Sequence, residues 1–349
     1  MNALPDAASA SAPEPVADRA ARARGGICLL EGDLPLFFGG SLSDVRVAWR
    51  MVGPPDAPVV AALGGISAGR YVTSEGEIKG WWAGIVGDGM ALDTTRFRVL
   101  GIDFLGGSGE TTGPRPGQAD FPSISAYDQA EVLRRLLERL GITHLDAIIG
   151  ASYGGMVALA FAERLPERVG QIVSISAADR PHPMATAWRS VQRAIVRYAI
   201  SRGEGPEGLR LARALAMATY RSPREFAERF SMPPSLIDGR YTFPVERYLL
   251  ARGDAYAGSY CPEAFLCLSE SIDLHRVEPE RIGVPVTLVA VKEDQLVPLE
   301  DMRTLRDRLA GPARLFEISS LYGHDAFLKE EAALRAIFAE VLGSTGGAK

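Results

Sequence analysis

Three cysteines in 349 residues, Cys28, Cys261 and Cys267, with no C-x-x-C pair among them, leave no disulfide framework and no thiolate set for a zinc site. Histidine is nearly as scarce, at four residues. No block of Lys or Arg occurs and the net charge is −5, which argues against a surface that tracks nucleic-acid phosphates. No apolar run approaches the ~20 residues needed to span a bilayer. The opening MNALPDAASASAPEPVADRAARARG is rich in Ala, Pro and Ser, carries acids and lacks an apolar centre, so it does not read as a secretory leader. These absences predict a protein with no nucleic-acid partner, no membrane partner and no metal, at work in a reducing, cytoplasmic compartment, with residues 1–25 as a disordered arm.

What is present is a globular composition, 47% hydrophobic and 23% charged, long enough for one large α/β domain with an insertion. Eight apolar, β-branched-rich runs recur: 27–30, 45–49, 58–65, 97–105, 145–151, 171–177, 284–294 and 313–320. Several lack polar alternation, the pattern of central strands covered on both faces. Helical patterns lie between them at 126–140, 153–165, 300–310 and 329–342. Strand alternating with helix predicts a mostly parallel sheet with right-handed crossovers. The alternation stops between residues 179 and 283, where helical stretches such as MATAWRSVQRAIVRYAI and GLRLARALAMATYRS dominate. The expected organisation is a core over 26–178 and 284–345 with a helical lid over 179–283, set above the sheet's carboxyl edge.

At that edge the sequence places chemistry. The stretch GASYG (150–154) follows the apolar run LDAIIG and precedes a helical pattern. Its glycines fit either an ordinary tight turn or a turn that pushes Ser152 into a cleft as a nucleophile. A serine hydroxyl needs a base to accept its proton. Of the four histidines, His144 precedes a strand at the opposite end, while His182 and His275 flank the insertion; His324, in LYGHDAFL after the last strand, is at the right edge. Asp294, in VAVKEDQLVP, ends the preceding strand and can orient the imidazole. The order Ser152, Asp294, His324 is that of α/β-hydrolase triads. Backbone donors for an oxyanion are expected from Tyr153, directly after the nucleophile, and from Ile66 in LGGISAG, whose glycines equally fit a plain turn.

Taken together, GGISAG, DFLGGSGETTGP, GASYGGMVALAFAERLPERV, the lid stretch GLRLARALAMATYRS, KEDQLVP and GHDAFL resemble the homoserine O-acyltransferases of methionine biosynthesis, a family within the α/β-hydrolase fold. The resemblance implies that Ser152 carries an acyl group from an acyl-CoA co-substrate to L-homoserine, with His324 as base, Asp294 as its orienting acid and no bound cofactor. It makes Arg213 the anchor for the acceptor's α-carboxylate and Asp325 the partner of its ammonium. The residues alone favour Arg213 as a solvated lid arginine. The resemblance also implies a homodimer joined through the lid helices, although a lid packing on its own core needs the same apolar faces. The stretch WRSVQR holds Arg189 and Arg193; Arg189 is the candidate for a succinyl donor's terminal carboxylate, unless both arginines face solvent or pair with lid acids. Succinyl-CoA is thereby favoured over acetyl-CoA as the donor, and serine acylation, a plain esterase or thioesterase, and a non-catalytic binding protein are the further competing readings.

Overall fold

The eight apolar runs become one eight-stranded sheet: β1 (Ala23–Leu29), β2 (Arg46–Val52), β3 (Val59–Leu63), β4 (Arg98–Ile102), β5 (Ala147–Ala151), β6 (Ile172–Ile175), β7 (Val286–Val291) and β8 (Ala313–Ile318), in the order β1-β2-β4-β3-β5-β6-β7-β8. The computed structural model describes residues 22–118 and 120–343. Every residue of β3, β5, β6 and β7 is buried, which is why these strands read as unbroken apolar runs. Pairing from β4 through β8 is parallel, and β2 alone runs against its neighbours β1 and β4.

The arm expected over 1–25 is corrected at its end. Residues 1–21 lie outside the described residues, but Ala23, Arg24 and Gly25 belong to β1 and pair with Val52, Met51 and Arg50. The mostly exposed faces of β1 hide it from a hydrophobicity reading, because an edge strand is held by its backbone ladder.

The helices α1 (Ala126–Arg139), α2 (Tyr153–Arg164), α8 (Leu299–Arg308) and α9 (Glu331–Gly343) flank the sheet. A capping box starts α1: the Ser125 hydroxyl accepts from the Asp128 amide, and the Asp128 carboxylate accepts from Ser125 N–H at 2.7 Å. Between β6 and β7 the chain forms five helices, α3 (Pro183–Ile200), α4 (Gly205–Tyr220), α5 (Pro223–Arg229), α6 (Pro244–Ala257) and α7 (Pro262–Asp273). A small hairpin, Ser235–Ile237 with Arg240–Thr242, interrupts this otherwise helical segment. Its residues are mostly exposed, so no burial pattern marks it. Among the described residues no helix is long and apolar enough to cross a membrane.

Candidate active site

At the end of β5 the backbone turns sharply at Ser152, with φ 54° and ψ −121°, a conformation that side chains rarely adopt and that stores roughly 1–3 kcal/mol of strain. The turn is held by the Ser152 amide, which donates to Ile175 O at 2.8 Å. The flanking glycines serve clearance rather than backbone freedom. A Cβ on Gly150 would come within 2.2 Å of Gly154 O, and one on Gly154 within 2.2 Å of Leu63 O. Both obstacles are backbone atoms that cannot swing away. Gly154→Ala is therefore expected to destabilise the fold by about 3 kcal/mol, the upper end for overpacking. Gly283→Ala, where an added methyl meets nothing within 4 Å, is the control. Comparing their thermal midpoints checks the assignment, and equal midpoints would refute it.

His324 is delivered by the short 3₁₀ turn Gly323–Leu328. Gly323 has φ +54°, and a Cβ there would lie 2.7 Å from Tyr220 O, so the LYGHD stretch needs glycine for both conformation and space. Beyond the histidine, the Trp82 indole N–H donates to Phe327 O at 2.7 Å and pins the loop to the core.

Three side chains separated along the chain meet here. His324 Nε2 lies 2.9 Å from Ser152 Oγ, and its Nδ1 lies 2.7 Å from Asp294 Oδ2. The other Asp294 oxygen accepts the amides of Leu296 at 2.8 Å and Val297 at 3.0 Å, which fixes the carboxylate's plane. A proton on Nδ1 facing Asp294 leaves Nε2 as the acceptor for the serine hydroxyl. Burial works against a charged imidazole, but the charge and hydrogen bond of Asp294, with Asp325 nearby, outweigh burial and the opposing Arg189. The pKa of His324 is held above the ordinary histidine value.

The remaining histidines are occupied elsewhere. His144 is exposed, its Nδ1 3.2 Å from Glu167 O. His182 caps α3 by accepting the Met184 amide at 3.2 Å. His275 is buried against Ala178 O, and burial pushes its pKa down to about 4, so it stays neutral.

Ser152 and His324 open into a cavity of about 210 Å³ between the sheet edge and the lid. Tyr153 begins α2, so its amide is one of the helix-end donors without an intrahelical acceptor. The amide of Gly154 donates to Gly64 O, and those of Gly155 and Met156 donate to Ser152 O. Gly65 and Ile66 line the cavity, and the Ile66 carbonyl accepts the Tyr260 hydroxyl at 2.9 Å.

Arg213 lines the cavity with its guanidinium between two lid tyrosines, 5.2 Å from the Tyr220 ring and 4.7 Å from the Tyr256 ring. Among the described residues no carboxylate lies within 4 Å of it. Burial disfavours the charge, yet Tyr220, Tyr256 and Asp325 more than offset that and raise its pKa. The solvated alternative for Arg213 is not what the lid does with it. Asp325 also lines the cavity, with Arg221 Nε 3.1 Å from its Oδ2. Arg189 lines the same cavity, but its guanidinium is paired: Nε and Nη2 reach Asp273 Oδ1 at 2.8 and 2.6 Å. Of the alternatives open in the sequence, pairing with a lid acid is the one observed.

Sequence reasoning passed over Tyr256, Tyr260 and Arg221. The spacing of the two tyrosines in DAYAGSY was the available signal; Tyr256 accepts the Ser67 hydroxyl at 3.1 Å and stacks on Tyr260 at 4.8 Å. Together they join the Arg213 seat to the Ile66 loop.

Comparison with known proteins gives a consistent set. The α/β hydrolase fold family matches residues 62–331. The chain is 42% identical over 316 residues to the homoserine O-succinyltransferase of Xanthomonas campestris pv. campestris, covering 90% of this chain and 83% of that relative. It is 34% identical to the homoserine O-acetyltransferase of Clavibacter michiganensis subsp. michiganensis, covering 94% and 93%. It is also 34% identical to the serine O-succinyltransferase of Litchfieldella anticariensis, covering 90% and 96%.

Proposed function

The chain belongs to the homoserine O-acyltransferase family of the α/β-hydrolase fold, and from that premise we propose that it moves a succinyl group from succinyl-CoA to the hydroxyl of L-homoserine through an ester on Ser152. The observation that carries this reading is the hydrogen-bonded series Ser152, His324, Asp294 inside a lidded cavity that also presents Arg213, Asp325 and Arg189. An esterase has no use for the amino-acid grip of the first two.

His324 Nε2 takes the Ser152 proton as Oγ attacks the thioester carbonyl. The amides of Tyr153 and Ile66 meet the oxyanion. The C–S bond then breaks, and CoA leaves as a thiol with the proton from Nε2. Homoserine enters next, its α-carboxylate on Arg213 and its ammonium against Asp325, which brings its hydroxyl to His324. His324 removes that proton, the hydroxyl oxygen attacks the acyl-enzyme, and Ser152 recovers its hydrogen as O-succinylhomoserine departs. Water competes for the acyl-enzyme, and the lid favours transfer by narrowing access to the ester. The product fits methionine biosynthesis, and the three free cysteines fit the reducing cytoplasm.

A homodimer through the lid is part of the proposal. Met184, Val191 and Tyr198 recur every seven residues on α3, and all three are exposed apolar side chains.

The test is a donor and acceptor screen that follows free CoA. Succinyl-CoA with L-homoserine is expected to be the fastest pair, ahead of L-serine by about 10–200-fold, the range that one methylene supports in a fitted pocket. Fastest turnover with L-serine, or equal CoA release with no acceptor, would replace this reading with serine acylation or thioester hydrolysis respectively.

A further inference from the structure

Beneath the cavity wall, one carboxylate serves two guanidiniums. Asp273, the last residue of α7, receives Arg189 on Oδ1 at 2.8 and 2.6 Å and Arg193 Nη1 on Oδ2 at 2.5 Å. The two arginines stand four apart on α3 and so share a helix face. Thr186, one turn earlier, adds its hydroxyl to Oδ1 at 2.7 Å. Arg193 Nη1 also donates to Ser269 O at 2.9 Å and Ser269 Oγ at 3.1 Å. The side chains of Arg189, Arg193 and Asp273 are only 12%, 10% and 9% exposed. Among the described residues no second carboxylate lies within 4 Å of either arginine. The cluster therefore holds one positive charge more than it neutralises, nearly out of water, where such a surplus favours an incoming anion.

Arg189 lines the catalytic cavity, whereas Arg193 stands behind it. If Asp273 had only Arg189 to hold, the pair would be neutral and the cavity wall would carry no net attraction for an acid. Resting on the succinyl-donor reading, we propose that Arg193 is a positioning residue for donor choice: by occupying the second oxygen of Asp273 it leaves Arg189 with unspent charge for the terminal carboxylate of a dicarboxylic acyl-CoA. Arg189 is close enough to the reacting centre to act on the titration of His324 through its field. The sequence alone suggested Arg189; the partner that makes it effective is visible only through Asp273, which follows Arg189 by 84 positions.

The experiment measures kcat and KM with succinyl-CoA and acetyl-CoA, at saturating L-homoserine, in wild type and in Arg193→Gln, Arg193→Lys and Asp273→Asn. Wild type is expected to prefer succinyl-CoA. Arg193→Gln is expected to raise the succinyl-CoA KM roughly 10- to 30-fold, the scale of a unit charge acting over several ångströms at a partly buried site, and to change the acetyl-CoA constants by less than about 3-fold. Arg193→Lys restores the preference because it keeps the charge. Asp273→Asn breaks the same cluster from its acidic side while retaining an oxygen for Arg189, and it is expected to keep or enlarge the preference. Acetyl-CoA turnover reports folding of each variant. Equal losses with both donors in Arg193→Gln, an unchanged donor ratio there, or a preference lost in Asp273→Asn would each overturn the inference while leaving the succinyl-donor reading in place. A wild type indifferent to donor would instead overturn that reading, and this inference with it.

Discussion

Ser152→Ala is expected to lower turnover by about 10⁴–10⁶-fold, the scale seen when a nucleophile that acts as a unit with its base is removed. The substitution deletes one oxygen, the atom 2.9 Å from His324 Nε2. The turn itself is held by the Ser152 amide and the clearance of Gly150 and Gly154, none of which the variant changes, so the thermal midpoint should stay close to that of wild type. A folded but inert protein separates chemistry from stability. The half-reactions give a second measurement on the same variant. Mixed rapidly with succinyl-CoA and no acceptor, wild type should release one CoA per active site in a burst and gain the mass of one succinyl group. Ser152→Ala should give no burst and no adduct. Turnover retained within tenfold of wild type, or a burst from the alanine variant, would mean that the acyl group never rests on this serine.

The parts of the fold that were legible share one property, which is burial on both faces. Strands β3, β5, β6 and β7 stand in the middle of the sheet and could be found from apolar content alone. Ala23–Gly25 could not, since an edge strand is recognised by its partner's backbone and carries no apolar signature. The lid hairpin at 235–242 escaped for another reason: its signal is the Asp238-Gly239 turn, with positive φ at both residues, and a reading based on burial passes over it. Nor does the sequence reveal that β2 runs against its neighbours, which depends on how connections cross the sheet. At the site, Ser152, Asp294 and His324 were legible because parallel strands deliver successive loops to one edge, a rule of topology that needs no coordinates. The charge balance of the lid was not. Whether Arg189 is neutralised turns on Asp273, and whether Asp325 stands alone turns on Arg221, more than 100 positions earlier in the chain. The glycines of GASYG were visible as glycines, but the close approach of Gly154 to Leu63 O is a property of packing.

Asp294→Asn is expected to reduce kcat/KM by about 10⁴-fold, and the reason lies in which oxygen of the carboxylate is already engaged. Oδ1 accepts two backbone amides, those of Leu296 and Val297, so the asparagine oxygen will stay with them and its NH₂ will turn towards His324 Nδ1. That nitrogen must then act as acceptor. The ring proton moves to Nε2, where it faces Ser152 and can no longer receive the serine's hydrogen. The same change acts on the pH profile. In the proposed mechanism the neutral imidazole is the base, and Asp294 raises its pKa above the ordinary histidine value, so activity should climb with pH through a limb above that value. Without the carboxylate, the charge and hydrogen bond that favoured imidazolium are gone and burial prevails. The imidazole then loses its proton at lower pH, and the limb of the residual activity should move towards acid. A steady-state profile of kcat/KM against pH for both proteins measures loss and direction together. A variant that keeps its rate would remove Asp294 from the machinery, and a limb that fails to move, or moves towards alkali, would show that Asp294 is not what sets the proton affinity of His324.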